Sequence, residues 1–263
     1  MNILRRALGD RRAVLTWWTV GVVVYCGFII AVWPVIDGND EFADIYADMP
    51  EALQAMFGSD GFTDFATPTG FLNTYLYSMI LPFIFAALAI SLGASLVAGE
   101  EEDGLLDLVL SYPVGRRRML LEKVGALLVA VVGIGVITAV FLALAREPVD
   151  LDVGVGGLAA ATLGSVLFAA VHGLVALLAG AVTGRKGVAT GAGWGVVLAG
   201  YLASILATLD DGLEWLRWVS PLSWATADSP ITGTVPGAYL ALAGAFVALV
   251  AATVVVFDRH DLT

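Results

Sequence analysis

Chemistry needs reactive side chains at fixed spacing, and this sequence offers few such sets. Its 263 residues include two histidines and one cysteine. Cys26 stands alone inside an apolar run, so there is no disulfide framework and the redox compartment stays open. No GxxxxGK(S/T) phosphate loop occurs. The nearest stretch, GAVTGRKG at Gly180–Gly187, has the wrong spacing and lacks the hydroxyl. HExxH, GxSxG and any His/Cys cluster at metal-ligand spacing are missing too, so no catalytic residue and no metal site is assigned. His172, in the middle of a long apolar stretch, is the one titratable side chain placed where an ion could be held. Two readings stay open for it: a neutral imidazole bonded to a helix carbonyl or a facing hydroxyl, or a substrate or proton contact in a pathway.

The dense charge lies elsewhere, in Gly99–Lys123, GEEEDGLLDLVLSYPVGRRRMLLEK. On a helical projection Leu105, Leu106, Val109 and Leu110 share one face, and Asp103, Asp107 and Ser111 share the other. Glu100–Asp103 stand where negative charge favours the start of a following helix. Pro113 and Gly115 break that helix, and Arg116–Arg118 open a second amphipathic run suited to lipid phosphates. An ordinary loop obeying the positive-inside rule is the competing reading. A bare connection, however, needs neither an amphipathic helix nor an acidic cluster ahead of it.

The elements that hold this stretch are membrane spans. The chain is 59% hydrophobic and 14% charged, with a mean hydropathy of +0.88; a soluble domain carries about 25% charged residues. The apolar residues fall in runs long enough to cross a ~30 Å hydrocarbon core. Six spans are expected, at about 14–36, 71–98, 124–145, 153–182, 187–209 and 237–257, each without Asp, Glu, Lys or Arg. The first is read as retained and not as a signal peptide, since its run ends in Trp-Pro and acids without a small-residue cleavage site. Pro82 is the expected kink in the second span, which is longer than the bilayer requires and should project into the loop at 99–123.

Charge fixes the orientation. With the N-terminus inside, eleven of the thirteen Lys and Arg residues are cytoplasmic, and only Arg146 and Arg217 fall outside. Both termini are then cytoplasmic, and 37–70 and 210–236 are the longer external loops. The net charge of −11 is concentrated outside, with eight acids between Asp37 and Asp64, so it reads as a solvated surface; no stripe of bases points to nucleic acid. Met1–Arg12 is an amphipathic helix for the cytoplasmic headgroups. Asp48–Gly58 reads as a short helix in the external loop, a lid on the span ends or a substrate gate.

The stretch EEEDGLLDLVLSYPVGRRRMLLEK resembles the cytoplasmic loop of ABC type-2 permeases: an acidic cluster, a glycine, a Leu-rich turn, a Ser-x-Pro step and a basic run. The six spans, the amphipathic start, WVSPLSWA at Trp218–Ala225 and the closing FDRHDL at Phe257–Leu262 are similar to that family as well. The resemblance implies an all-α integral membrane protein, one permease domain over residues 1–263, sitting in the cell membrane. Such a permease would bind no cofactor itself; ATP and Mg would sit on a separate ATPase subunit. Two permease copies would pair, each contacting its ATPase through a coupling helix at Gly104–Pro113. Carried over by position, Gly104, Leu105, Leu106, Leu110, Tyr112 and Pro113 form that helix, with Tyr112 and Pro113 near its tip. Glu100 and Glu101 lie on its approach, and Arg116 and Arg117 follow it. The purely acidic approach departs from the family's usual mixture of Glu and Arg.

Two further groups complete the expectation. Gly187, Gly191 and Gly195 recur every four residues, a face narrow enough for helix pairing; it serves either packing within the subunit or a dimer contact. Trp215, Trp218 and Trp224 suit an interfacial belt. The resemblance adds a re-entrant hairpin there, turning at Pro221 and closing the external end of a pathway. The implied activity is ATP-driven export of a hydrophobic or amphipathic substrate. The alternatives are an ion-driven carrier using His172, and a membrane sensor or assembly protein without an ATPase.

Overall fold

The computed structural model describes residues 3–37, 67–102 and 115–259, together with Pro50 and Gly104. Apart from Pro50 and Gly104, the expected helix at 48–58 and the coupling helix lie outside these residues. Every described element is helical. Helix α1 is Ile3–Asp10, α2 is Arg12–Ile36, and α3 runs over Pro68–Glu102 with two π-helical segments. Next come α4 (Arg116–Ala145), α5 (Val155–Thr183) and α6 (Lys186–Leu209). A 3-10 helix at Asp211–Trp218, the short α7 (Pro221–Thr226) and α8 (Tyr239–Arg259) complete the chain.

Six of these helices (α2, α3, α4, α5, α6 and α8) are long and apolar enough to cross a membrane. Water cannot satisfy backbone groups in hydrocarbon, so a helix that bonds all of them internally is the form such segments must take. In the most apolar windows of α3 and α5, 67% of residues are buried, against 22% in α6 and 17% in α8. The core is therefore an α3–α5 pair, with the other spans around it and large apolar side chains such as Phe28, Leu144, Leu240 and Val247 on the outside.

Glycine makes the central pair possible. A Cβ on Gly93 of α3 would run into the backbone of Gly173 in α5, and one on Gly173 would lie 2.9 Å from both the Cβ and the carbonyl oxygen of Ala89. Farther out along α5, Gly164 leaves room for the Tyr239 hydroxyl, which donates to the Ala160 carbonyl at 2.9 Å. With no hydrophobic drive between helices in lipid, such close backbone approach supplies the packing.

Two boundaries differ from expectation. Helix α4 starts at Arg116, eight residues before the expected Val124, so its first two turns carry charge. In α3 the irregularity lies at Ser78–Met79, where Met79 has φ −146° and the Ser78 N–H reaches back to the Asn73 carbonyl at 2.8 Å. Pro82 still explains the position. It has no N–H for the carbonyl of residue 78 and its ring crowds that oxygen, so the helix is interrupted one turn before the proline.

Candidate functional site

At the predicted cytoplasmic end, α3 closes in a π turn at Ser95–Gly99 followed by the single turn Glu100–Glu102. Gly104 then adopts φ +67°, and its N–H bonds the Glu101 carbonyl at 3.0 Å. A left-handed glycine after the last turn is a helix stop. The three glutamates thus form the last turn of the preceding helix, where the helix dipole disfavours them, and not the opening of the next one. They are held by specific partners.

Glu100 Oε2 lies 2.7 Å from Lys123 Nζ. The Lys123 side chain is 1% exposed and also donates to the Leu96 carbonyl. Glu102 Oε1 accepts the backbone N–H of Lys186 at 2.9 Å and so satisfies a free donor at the start of α6. The Glu101 carboxylate packs over Gly184, whose φ of +61° forms the α5–α6 turn; a Cβ there would come within 2.7 Å of it. From the other side, Arg11 donates to the Ser95 carbonyl at 3.2 Å. The N–H of Leu4 reaches Glu122 Oε2 at 3.3 Å, and Glu122 in turn pairs with Arg118 at 3.0 Å.

This network ties α1, α3, α4 and the α5–α6 turn together around both ends of the 103–114 connection. Of the residues expected to meet an ATPase, Glu100 and Glu101 face this chain's own helices, Arg116 is the first residue of α4 and Arg117 is exposed beside it. Leu105, Leu106, Leu110, Tyr112 and Pro113 lie outside the described residues. Lys123 is the residue that sequence reasoning misses, since hydropathy places it in the loop at 99–123. A signal existed, because Met119, Leu120, Lys123, Val124 and Leu127 recur on one helical face, and all are buried.

His172 is wholly buried in α5. Its Nδ1 lies 2.7 Å from the Phe168 carbonyl, one turn back, and its ring centroid is 4.1 Å from that of Phe168. A carbonyl only accepts, so Nδ1 carries the proton and Nε2 presents a lone pair. That nitrogen is buried and has no hydrogen-bond partner among the described residues.

Gly187, Gly191 and Gly195 have nothing within 4 Å of where a Cβ would stand. Helix α6 turns its other face, with Ala189, Gly193 and Val197, into the subunit. Among the described residues the glycine face is open, and packing within the subunit does not use it.

At the predicted outer end the tryptophan segment is a helical hairpin folded onto α6. Pro221 opens α7, with Ser220 as its cap: Ser220 Oγ accepts the Ser223 N–H at 3.2 Å and donates to the Gly200 carbonyl at 2.7 Å. Gly200 lies nine residues before the end of α6, so the hairpin reaches roughly 13 Å back along that helix. Ser223 and Ser204 share a hydrogen bond at 3.1 Å. Trp215 and Trp218 are exposed, whereas Trp224 is partly buried.

Compared with known protein families, residues 1–262 match the one described as ABC-2 family transporter protein. No curated protein matches the sequence.

Proposed function

Because the chain belongs to the ABC-2 family of transporters, we propose that it is the membrane-spanning permease subunit of an ATP-driven exporter. Its cargo would be hydrophobic or amphipathic, and a separate ATPase chain would carry ATP and Mg. The chain sits in the cell membrane with both termini in the cytoplasm. Two copies, or a copy and a homologue, pair through the open Gly187–Gly191–Gly195 face of α6.

One observation carries the coupling role. The connection at 103–114 is flanked by helix ends joined to one another, through Glu100–Lys123 between α3 and α4 and through Glu102 onto the start of α6. A push on that connection reaches α3, α4 and α6 together, as a docking element for a nucleotide-driven partner requires. The Glu100 and Glu101 carboxylates serve this brace, which leaves Leu106, Tyr112 and Arg117 as the better choice for contact with the ATPase. The hairpin at Asp211–Thr226 closes the outer end.

Co-purification from the native membrane in mild detergent tests the reading. A nucleotide-binding subunit should accompany the chain and be lost on substitution of Leu106, Tyr112 or Arg117. A chain that purifies alone and still transports when reconstituted would overturn it. The buried Nε2 of His172, without a partner among the described residues, favours a second reading, a carrier driven by an ion gradient. Unchanged transport by His172→Ala would eliminate that one.

A further inference from the structure

The outer end of the chain carries a half-open cavity of about 780 Å³ between α6, the 3-10 helix, α7 and the start of α8. Sites that hold one organic molecule run to about 300–1,000 Å³, so the space suits a single bulky ligand. Its wall carries Glu214, Arg217 and Asp228, along with Trp218 and Trp224. Among the described residues, none of these three charged side chains has an ion pair or hydrogen-bond partner. The wall therefore presents two carboxylates against one guanidinium, next to two indoles.

A surplus carboxylate beside indole rings favours a particular ligand. A lipophilic cation gains cation–π attraction from tryptophan and Coulomb attraction from the carboxylates, while its body replaces water over the apolar part of the wall. The surroundings act in the same sense. In the orientation given above, fifteen of the twenty-four acidic residues and only two of the thirteen basic ones lie on the external side. Such a face concentrates cations near the cavity mouth.

We propose that this cavity binds a lipophilic organic cation, a bulky aromatic or alkyl body bearing one positive charge. The proposal deepens the exporter reading by naming a substrate class. Binding itself is a property of the single chain, and its readout needs neither ATPase nor export.

The test uses two ions of nearly the same shape and opposite charge, tetraphenylphosphonium and tetraphenylborate. They are titrated into the purified full chain in nanodiscs of zwitterionic lipid, with empty nanodiscs as the blank. Saturable binding is expected for tetraphenylphosphonium alone. Asp228→Asn combined with Glu214→Gln should weaken it by about tenfold, the size of one lost charge contact. Trp218→Ala should also weaken it, and Arg217→Gln should strengthen it.

The control is Asp150→Asn with Asp152→Asn, which removes two charges from the same outer face away from the cavity. Screening should keep its effect within about twofold. Four results would overturn the proposal: no saturable phosphonium binding, equal binding of the two ions, an equal loss in the control, or no effect of the cavity variants. All the altered side chains are exposed, and unchanged thermal unfolding of each variant in the nanodiscs confirms that it has folded. Intact binding without export would count against the exporter reading alone.

Discussion

At the scale of single residues, the pair of Glu100 and Lys123 is asymmetric, and the asymmetry can be tested. The lysine side chain is 1% exposed and the glutamate 20%. Removing the lysine leaves a carboxylate that water can reach. Removing the glutamate leaves an ammonium group buried with, among the described residues, only the Leu96 carbonyl. A buried charge stripped of its partner costs about 3–5 kcal/mol, whereas an apolar replacement of similar volume is often neutral. Glu100→Gln should therefore lower the unfolding midpoint in detergent well below that of Lys123→Met. If the two variants unfold together, or the methionine variant is the weaker, the buried-pair account is wrong. His172 gives the opposite expectation. Among the described residues its Nε2 makes no bond, and an unmade bond in a dry site is a penalty of about 1–3 kcal/mol. His172→Leu should consequently be neutral or mildly stabilising in the same unfolding assay. A large loss of stability would point to a partner for that nitrogen. Sequence reading anticipated the bond from His172 to a helix carbonyl. It missed Lys123, because a charge near a span end counts as loop when span limits are drawn from hydropathy alone.

At the scale of helices, the spans were legible because hydrocarbon tolerates only long uncharged helices, and all six appear within a few residues of expectation except at the start of α4. What stayed hidden was which glycines pack. The regular spacing of Gly187, Gly191 and Gly195 drew attention to α6, yet the tight crossing is between Gly93 of α3 and Gly173 of α5. Neither of those belongs to a four-residue repeat that extends through its helix, since each crossing needs space at a single point. The two glycine sets should respond differently to the same change. Gly173→Leu forces a side chain against the backbone of Ala89 and the tip of Leu127, and overpacking costs about 1–3 kcal/mol or more. It should cut the yield of folded monomer. Gly191→Leu meets open space, so the monomer should fold normally and lose self-association. Light scattering in detergent together with thermal unfolding separates the two effects. A Gly191→Leu chain that remained dimeric would remove α6 from the interface.

At the scale of the whole molecule, orientation rests on charge, and one cysteine makes it testable. Cys26 is completely buried, so the unaltered chain in intact cells should not react with a membrane-impermeant maleimide. Against that silent background, cysteines placed singly at exposed sites report the side on which each lies. Trp218, 80% exposed, belongs to the outer hairpin. Arg185, also exposed, belongs to the α5–α6 turn, beside the acidic turn that ends α3. Eleven cationic residues on one side make the reverse orientation costly, because such residues resist translocation. Trp218→Cys should label in intact cells, and Arg185→Cys only after the membrane is opened. Both side chains are exposed and larger than a cysteine, so the fold should tolerate either change. The opposite pattern would turn the brace around Glu100 and Lys123 to the outside, where no nucleotide-driven partner could act on it. Labelling of both sites in intact cells would mean that α6 does not cross the membrane. The agreement between a charge count over the whole sequence and a brace assembled from four helix ends is what this experiment puts at risk.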